Sequence, residues 1–376
     1  MRKTFTPKIV NISDIDVINC KDHNIKKILI IKPSSLGDIF HAFPAFYLLK
    51  KYFPDAEIDW FINISFAPIL SYIEEDLNRV ILFRRKDFKN WFKAVKTFLK
   101  LYLDIRKEKY DLVIDMQGLM RSAIFTFIAR SGNKVGFSDV REKISKLAYN
   151  GKVDIPEEIT HAIDKNIYLV LSIFKKDHIV PDYILPVDKK VDIKSILRSK
   201  KIEGNCKYIT ISPGARWTTK TWSPEFFAKI SDDIVKEHPD IKIVLIGSSA
   251  EIELAEKLIS LCEIAKPVST VGETTLNELV EVIRNSQLLL TNDSGPMHIG
   301  AFLRVPVFAL FGPTYPEKTG PYWEWNKVYQ SKKGCIKCFK RDCALNNLEC
   351  QNNISQKNVS KDINNKLNEL LTDTKL

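Results

Sequence analysis

The chain has 376 residues, of which 45% are hydrophobic and 27% charged. That is too apolar for a disordered or collagen-like chain and too long for a small disulfide-stapled module, and at roughly 150 residues per domain it implies two or three domains. Lysine and arginine number 57 against 46 aspartates and glutamates, a formal charge of +11. This favours anionic partners such as nucleic acid, acidic lipid or a phosphorylated metabolite, without choosing among them.

The first 25 residues are mixed and polar, without the apolar run of a signal peptide. No stretch reaches the roughly 18 apolar residues of a spanning helix. The chain therefore reads as cytoplasmic, with contact to a membrane surface left open. In chain order, 27–31 is a short apolar strand, and helical spacing follows through Phe40, Phe43, Tyr47 and Leu48. Strands are expected at 58–62, 80–83 and 112–114, and a helix near 161–174 closes this half. Residues 177–206 hold Pro181, Pro186 and many lysines, and read as the linker. The alternation restarts with strand 208–211, helix 224–235, strand 241–246 and helices 251–261 and 276–283. Strand 288–290, a short helix at 297–303 and strand 305–310 follow, and Ser360 is placed to cap a last helix through Ile363, Leu367 and Leu370. Apolar strands alternating with amphipathic helices predict an α/β chain of two halves, 1–185 and 186–376, each with a mostly parallel sheet. Two facing halves would hold a nucleotide-sized ligand beyond the carboxyl ends of their strands.

Several strand ends carry chemistry. Lys32-Pro-Ser-Ser-Leu-Gly-Asp38 is neither a dinucleotide fingerprint nor a P-loop, yet offers two hydroxyls, a glycine for close approach and an acid at a helix start. Asp38 either caps that helix or faces the ligand as a general base. Gln117, Arg121 and Ser122 follow the strand at 112–114 and either hold an acceptor or only start a helix. Ser212-Pro-Gly-Ala-Arg-Trp-Thr-Thr-Lys-Thr-Trp222 brings Arg216, Thr218, Thr219 and Lys220 to a turn opened by Gly214, which suits a diphosphate. Thr291-Asn-Asp-Ser-Gly-Pro-Met-His298 ends a strand and opens a short helix, whose free N–H groups suit an anion. His298 reads as a packing or positioning residue ahead of a metal ligand. The loop from Phe311 to Pro316 borders the same ligand or merely connects.

Cys335, Cys338, Cys343 and Cys350 fall within sixteen residues, a spacing that suits a closed tetrahedral zinc or iron site with no open position for catalysis. Cys20, Cys206 and Cys262 read as packing residues. In 88–102, apolar residues at Phe88, Trp91, Phe92, Val95, Phe98, Leu99 and Tyr102 interleave with Lys89, Lys93, Lys96 and Lys100. This basic amphipathic helix either rests on an anionic membrane or packs on the sheet with a solvated basic face.

Together, the motif at 32–38, Tyr110-Asp-Leu-Val-Ile-Asp-Met-Gln-Gly-Leu-Met-Arg-Ser122, Lys220-Thr-Trp222, the motif at 291–298 and Phe311-Gly-Pro-Thr314 resemble the heptosyltransferase family of bacterial lipopolysaccharide synthesis, glycosyltransferase family 9. The resemblance covers about 27–325. It implies a GT-B fold of two Rossmann-like domains facing a cleft, with acceptor in the first and sugar nucleotide in the second. The implied reaction transfers heptose from ADP-L-glycero-D-manno-heptose to a lipopolysaccharide inner-core acceptor of lipid A–Kdo type, with inversion and no catalytic metal. Asp38 matches the family base and Lys220 its phosphate-contacting lysine. Asp293 would hold the heptose hydroxyls, and Ser212, Arg216, Thr218, Thr219, Glu251, Ser294, Gly295 and His298 would complete the donor site. The basic helix falls where the family meets its anionic lipid-linked acceptor, at the cytoplasmic face of the inner membrane.

The core enzymes of this family are mostly shorter and lack the cysteine cluster. Relatives similar to the autotransporter heptosyltransferases carry it and bind iron there, so a protein acceptor is an alternative, as is another nucleotide sugar on the same fold. A nucleic-acid binder is disfavoured because no arginine-rich recognition helix follows the cysteines. An NAD-dependent oxidoreductase is disfavoured by the missing glycine fingerprint.

Overall fold

The computed structural model describes residues 25–174, 185–188, 190–203, 206–332 and 335–372. The region before Ile25, with Cys20, and linker positions 177–184, 189 and 204–205 lie outside the described residues. The chain divides into two compact units, Met1–Pro186 and Val187–Leu376.

The first unit runs β1 (Lys27–Ile31), α1 (Leu36–Tyr52), β2 (Glu57–Asn63), β3 (Arg79–Phe83), α2 (Trp91–Arg106), β4 (Leu112–Asp115), α3 (Met120–Ile128), β5 (Lys134–Phe137), β6 (Gly151–Val153) and α4 (Ala162–Phe174). Its six strands are all parallel, in the order β3-β2-β1-β4-β5-β6. Ile28 to Ile31 are fully buried, as a central strand covered on both faces must be. Pairing sets Ile31 opposite Phe61 on one side and Asp115 on the other. Buried Asp59 accepts from the Tyr110 hydroxyl at 2.6 Å and from Arg79 at 2.8 and 3.0 Å, which satisfies a charge at the base of the sheet.

The second unit runs α5 (Ile193–Ser199), β7 (Tyr208–Ser212), α6 (Pro224–Glu237), β8 (Lys242–Leu245), α7 (Ile252–Leu261), β9 (Val268–Ser269), α8 (Leu276–Arg284), β10 (Leu289–Asn292), α9 (Gly295–Phe302), β11 (Val307–Phe311), α10 (Pro316–Thr319), β12 (Lys327–Gln330), α11 (Glu349–Asn352) and α12 (Gln356–Thr372). Its six parallel strands follow the order β12-β11-β10-β7-β8-β9. Both sheets therefore share one plan. The chain starts in the middle, winds to one edge, returns and winds to the other. It reverses between β1 and β4 in one unit and between β7 and β10 in the other, and a crevice opens at the carboxyl ends of such a pair.

Two expectations are corrected. The linker region contains α5, whose N-cap Asp192 accepts from the Ser195 N–H at 3.1 Å. Ser360 does not cap the last helix. α12 starts at Gln356 because Val359 joins Ile363 and Leu367 in one buried stripe, and Ser360 donates to Asp233 of α6 at 2.8 Å. Of the two readings left open for the basic helix 88–102, α2 packs one side on the sheet and leaves a further apolar side outside. Leu101 and Ile105 are buried, whereas Trp91, Phe92, Val95 and Leu99 are exposed. The short strands β5, β6, β9 and β12 carry too few alternating residues to be read from sequence. No helix among the described residues is long and apolar enough to cross a membrane.

Gly300 lets α9 press against the sheet. A Cβ there would lie 2.8 Å from a Leu289 methyl and 2.9 Å from a Val307 methyl. Gly300→Val should lower the stability of the second unit by about 1–3 kcal/mol, seen as a lower urea midpoint. An unchanged midpoint would show that this packing is slack.

Candidate active site

In the first unit, the turn after β1 and the turn after β4 meet at the reversal point. Lys32 is buried, and its Nζ donates to the Met116 carbonyl at 2.5 Å. Burial lowers its pKa, and the nearby carboxylates of Asp38 and Asp115 oppose that. The Ser34 N–H donates to Gln117 Oε1 at 3.3 Å. Asp38 is the third residue of α1, and its Oδ2 accepts from both the Ser35 N–H at 2.7 Å and the Ser35 hydroxyl at 2.8 Å. Asp38 thus caps its helix, but through one oxygen. Oδ1 takes no hydrogen bond from the described residues and the side chain is half-buried.

Asp115 is fully buried and accepts from the N–H groups of Gln117 at 2.8 Å and Gly118 at 3.1 Å and from the Tyr149 hydroxyl at 2.7 Å. It holds the β4 turn in shape. Burial raises its pKa first of all, and these donors oppose the shift. Gly118 has φ +68, a conformation that favours glycine. Ser122 leaves the candidate acceptor set, because it is buried and spends its hydroxyl on the Leu119 carbonyl at 2.7 Å. Gln117 stays half-buried and Arg121 exposed.

In the second unit, the turns after β7 and β10 are sewn together in the same way. Buried Asn292 donates to the Pro213 carbonyl at 2.6 Å and accepts from the Trp222 N–H at 3.3 Å. Lys220 Nζ lies 2.6 Å from Asp293 Oδ2, with side-chain exposures of 17% and 6%. The same carboxylate oxygen accepts from the Thr314 hydroxyl at 2.6 Å, so the loop after β11 supports the pair. Ser294 is the N-cap of α9, its hydroxyl 3.2 Å from that of Thr291. Gly295 is the first residue of that helix, and half-buried His298 sits one turn in. Ser212 is buried at the end of β7. Glu251 Oε2 accepts from the Ser248 N–H at 2.5 Å and its hydroxyl at 2.9 Å. Its other oxygen fills the space beside Gly214, where a Cβ would fall 1.8 Å from Oε1. Glu251 is thereby brought to the Gly214 turn. Arg216 is exposed and makes no ion pair with the described residues.

Thr218 and Thr219 are otherwise engaged. Thr218 donates to the Arg341 carbonyl at 2.9 Å, and Thr219 to the Lys340 carbonyl at 2.7 Å. Gln351 returns a bond to the Thr219 carbonyl at 2.6 Å. The cysteine segment is thus a brace for the lysine turn. Its Phe339 packs edge-on against Trp217 at 5.3 Å, and Lys220 and Arg341 both lie over the Trp217 ring, at 4.6 and 5.7 Å. Sequence reasoning missed this brace, since only the fold brings 340–351 to 217–222.

Cys335 and Cys338 are exposed, Cys343 is half-buried and Cys350 is buried near Gly312. Backbone N–H groups of the 345–348 turn, that of Leu348 foremost, lower the pKa of Cys343. Burial raises that of Cys350, and the charges of Cys335, Cys338 and Cys343 add to it. Among the described residues, no group of three or more His, Cys, Asp or Glu side chains is arranged to hold a metal ion. Spacing supplies ligand types, whereas convergence depends on the path of the loop.

Residues 98–349 match the model of glycosyltransferase family 9 (heptosyltransferase). The lipopolysaccharide heptosyltransferase 1 of Campylobacter coli is 30% identical over 322 residues, covering 82% of this chain and 90% of the relative. The chain belongs to glycosyltransferase family 9. The crystal structure of a family 9 glycosyltransferase from Veillonella parvula superposes with a TM-score of 0.78 at 22% identity, over 93% of this chain and 97% of that one. The E. coli heptosyltransferase WaaC with ADP-2-deoxy-2-fluoro heptose superposes at 0.64 and 26% identity, over 80% and 92%. The fold of this glycosyltransferase is GT-B, built from the two parallel α/β units described above.

In this glycosyltransferase, Gln351→Leu removes the donor to the Thr219 carbonyl. Leaving that carbonyl unsatisfied should cost about 1–3 kcal/mol, measured by urea unfolding. No loss of stability would show that the brace does not hold the lysine turn.

Proposed function

We propose that this glycosyltransferase moves heptose from ADP-L-glycero-D-manno-heptose to an inner-core acceptor of lipopolysaccharide, with inversion at the anomeric carbon. The observation that carries the reading is the Lys220–Asp293 pair, 2.6 Å apart, at the reversal point between β7 and β10. It supplies a cation for the diphosphate and an acid for sugar hydroxyls in a family 9 chain. The donor belongs to the second unit and the acceptor to the first, and the enzyme works at the cytoplasmic face of a membrane.

The chemistry follows from the groups present. Asp38 takes the proton of the acceptor hydroxyl on the oxygen that its capping bonds leave open. The acceptor oxygen then attacks the anomeric carbon on the side opposite the diphosphate, and the bond from that carbon to the departing phosphate oxygen breaks. Negative charge grows on ADP as it leaves. Lys220, held in place by Asp293 and the Trp217 ring, stabilises that charge without having to reorganise. The N–H groups at the start of α9, Gly295 among them, face anionic oxygen in the same way. Asp293, steadied by Thr314, accepts from sugar hydroxyls, and Glu251 beside Gly214 accepts from the nucleoside. Ser212, Arg216, Ser294 and His298 line the remaining edge. Thr218 and Thr219 act through the position of Lys220, because their hydroxyls already serve the brace.

Two variants separate the roles. Asp38→Asn should retain ADP binding by calorimetry and lose turnover of ADP-heptose on an inner-core glycolipid by about 100-fold or more. Lys220→Ala should instead weaken ADP binding by about tenfold or more. Near-normal turnover in the first, or unchanged affinity in the second, removes that residue from its role. Wild-type turnover with UDP- or GDP-sugars but not ADP-heptose would reassign the donor, and turnover on a peptide but not the glycolipid would reassign the acceptor.

A structural zinc or iron is the finer reading of the cysteine segment. Its support is the spacing of Cys335, Cys338, Cys343 and Cys350 within sixteen residues, with the other three near enough to Cys350 for their charges to act on it. Binding a cation as thiolates would draw the four ligands together. Elemental analysis of reduced, folded protein should find about one zinc or iron per chain. Metal-free folded protein would reject the site.

A further inference from the structure

The cysteine segment does more at the lysine turn than brace it. Residues 339–341 are bonded to two loops at once. The Phe339 N–H donates to the Pro313 carbonyl at 2.9 Å, in the loop after β11. The carbonyls of Lys340 and Arg341 accept from the hydroxyls of Thr219 and Thr218 at 2.7 and 2.9 Å, in the turn after β7. In the sheet, β10 lies between β7 and β11, and Asp293 directly follows β10. The segment is therefore fixed to the loops on either side of the Lys220–Asp293 pair. Thr314, which donates to Asp293, is the residue after Pro313.

The path of the segment is tightly set. Lys337 has φ +60 and Phe339 φ +56, a conformation uncommon for residues with a side chain. Such positions persist where surrounding contacts over-determine them, and they cluster at ligand sites. The contacts of 340 and 341 with the β7 turn use their carbonyls, which leaves the side chains for other work. The Arg341 guanidinium lies 5.7 Å from the centre of the Trp217 ring, and the Lys220 ammonium lies 4.6 Å from the same centre. One indole thus carries two cations.

The two charges are not equivalent. Lys220 stands 2.6 Å from Asp293, so its charge is offset before any ligand arrives. Arg341 is exposed and makes no ion pair with the described residues. The acid next to it in the chain, Asp342, accepts from the Thr218 hydroxyl at 3.3 Å. The diphosphate of a nucleotide sugar is doubly anionic, and a further negative charge develops on it as the sugar bond breaks. A lysine already paired with a carboxylate does not balance that charge alone. A guanidinium meets phosphate oxygens in pairs, and its weak hydration lets it rest on an aromatic face until they arrive.

We propose that Arg341 is a second diphosphate-binding cation of this transferase, delivered to the donor site by the cysteine segment. Its guanidinium takes diphosphate oxygens beside Lys220 and stabilises the charge that grows on the departing nucleotide. Arg341 keeps its protons throughout, and the electron pair of the broken bond stays on the phosphate oxygen. The inference deepens the proposed function and rests on it for placing the donor diphosphate at Lys220.

The test separates the side chain of Arg341 from its carbonyl, because only the carbonyl serves the brace. Arg341→Gln should keep the urea midpoint and circular dichroism of wild type. By calorimetry it should bind ADP about tenfold more weakly, and lose less for AMP, which has one phosphate fewer. Its kcat/KM for ADP-heptose should fall by at least as much as its ADP affinity, since the leaving group carries more charge than the bound donor. Arg341→Lys should recover part of the loss, and rising salt should narrow the gap between wild type and Arg341→Gln for ADP. Unchanged ADP affinity in Arg341→Gln would overturn the proposal. So would equal losses for ADP and AMP with a lowered urea midpoint, which would make Arg341 part of the brace alone. ADP binding that depends on Arg341 without ADP-heptose turnover in wild type would sink the proposed function and leave this site standing. Wild-type turnover that Arg341→Gln matches would do the reverse.

Discussion

The structure depends on one topological constraint, the reversal of winding in the middle of each parallel sheet. Parallel strands need crossovers, and a crossover covers one face of the sheet in one direction. When the chain returns to the centre and winds the other way, the two loops leaving the central strands diverge, and nothing covers the strand ends between them. In the first unit those strands are β1 and β4. In the second they are β7 and β10. The motifs at 32–38, 116–122, 213–222 and 293–298 all leave these four strands, and their chemistry is local because the topology puts them in pairs.

Each pair is tied by polar bonds that leave charge ready for use. In the first unit, a buried lysine spans from one turn to the carbonyl of the other, with Asp38 and Asp115 in electrostatic reach. In the second, Asn292 bridges the turns, and Lys220 and Asp293 pair beside it. Repetition extends to the helix starts. Ser35 with Asp38, and Ser248 with Glu251, use the same three-residue spacing to fix an acid through one carboxylate oxygen. Capping at Asp38 is therefore compatible with the base role proposed for it. The cap fixes the side chain through one oxygen and leaves the other open.

In α2, packing chooses within a sequence pattern. Its apolar residues cover about half the helix, opposite Lys93, Lys96 and Lys100, so more than one stripe could face the core. The sheet selects the one bearing Leu101 and Ile105, because Phe61, Phe83 and Phe125 already fill the space next to them. What remains outside includes Trp91, Phe92, Val95, Leu99 and Leu103.

Much of this protein was legible in the order of its residues. The apolar strands at 27–31 and 208–212, the helices between them and the division into two α/β halves follow from periodicity, which acts over a few residues. The candidate motifs were legible as strand-end turns, and the fold brings them to the two reversal points. Tertiary structure decided which of those groups are engaged and with what. It spent the hydroxyls of Ser122, Thr218 and Thr219 on nearby carbonyls, and brought Gln351 to a turn over a hundred residues away. It also set Thr314 against Asp293. Sequence determines residue type and local period, because these are properties of neighbours in the chain. Which carboxylate oxygen is open, which hydroxyl is used and which apolar face is left outside depend on contacts made across the fold, which no local pattern records.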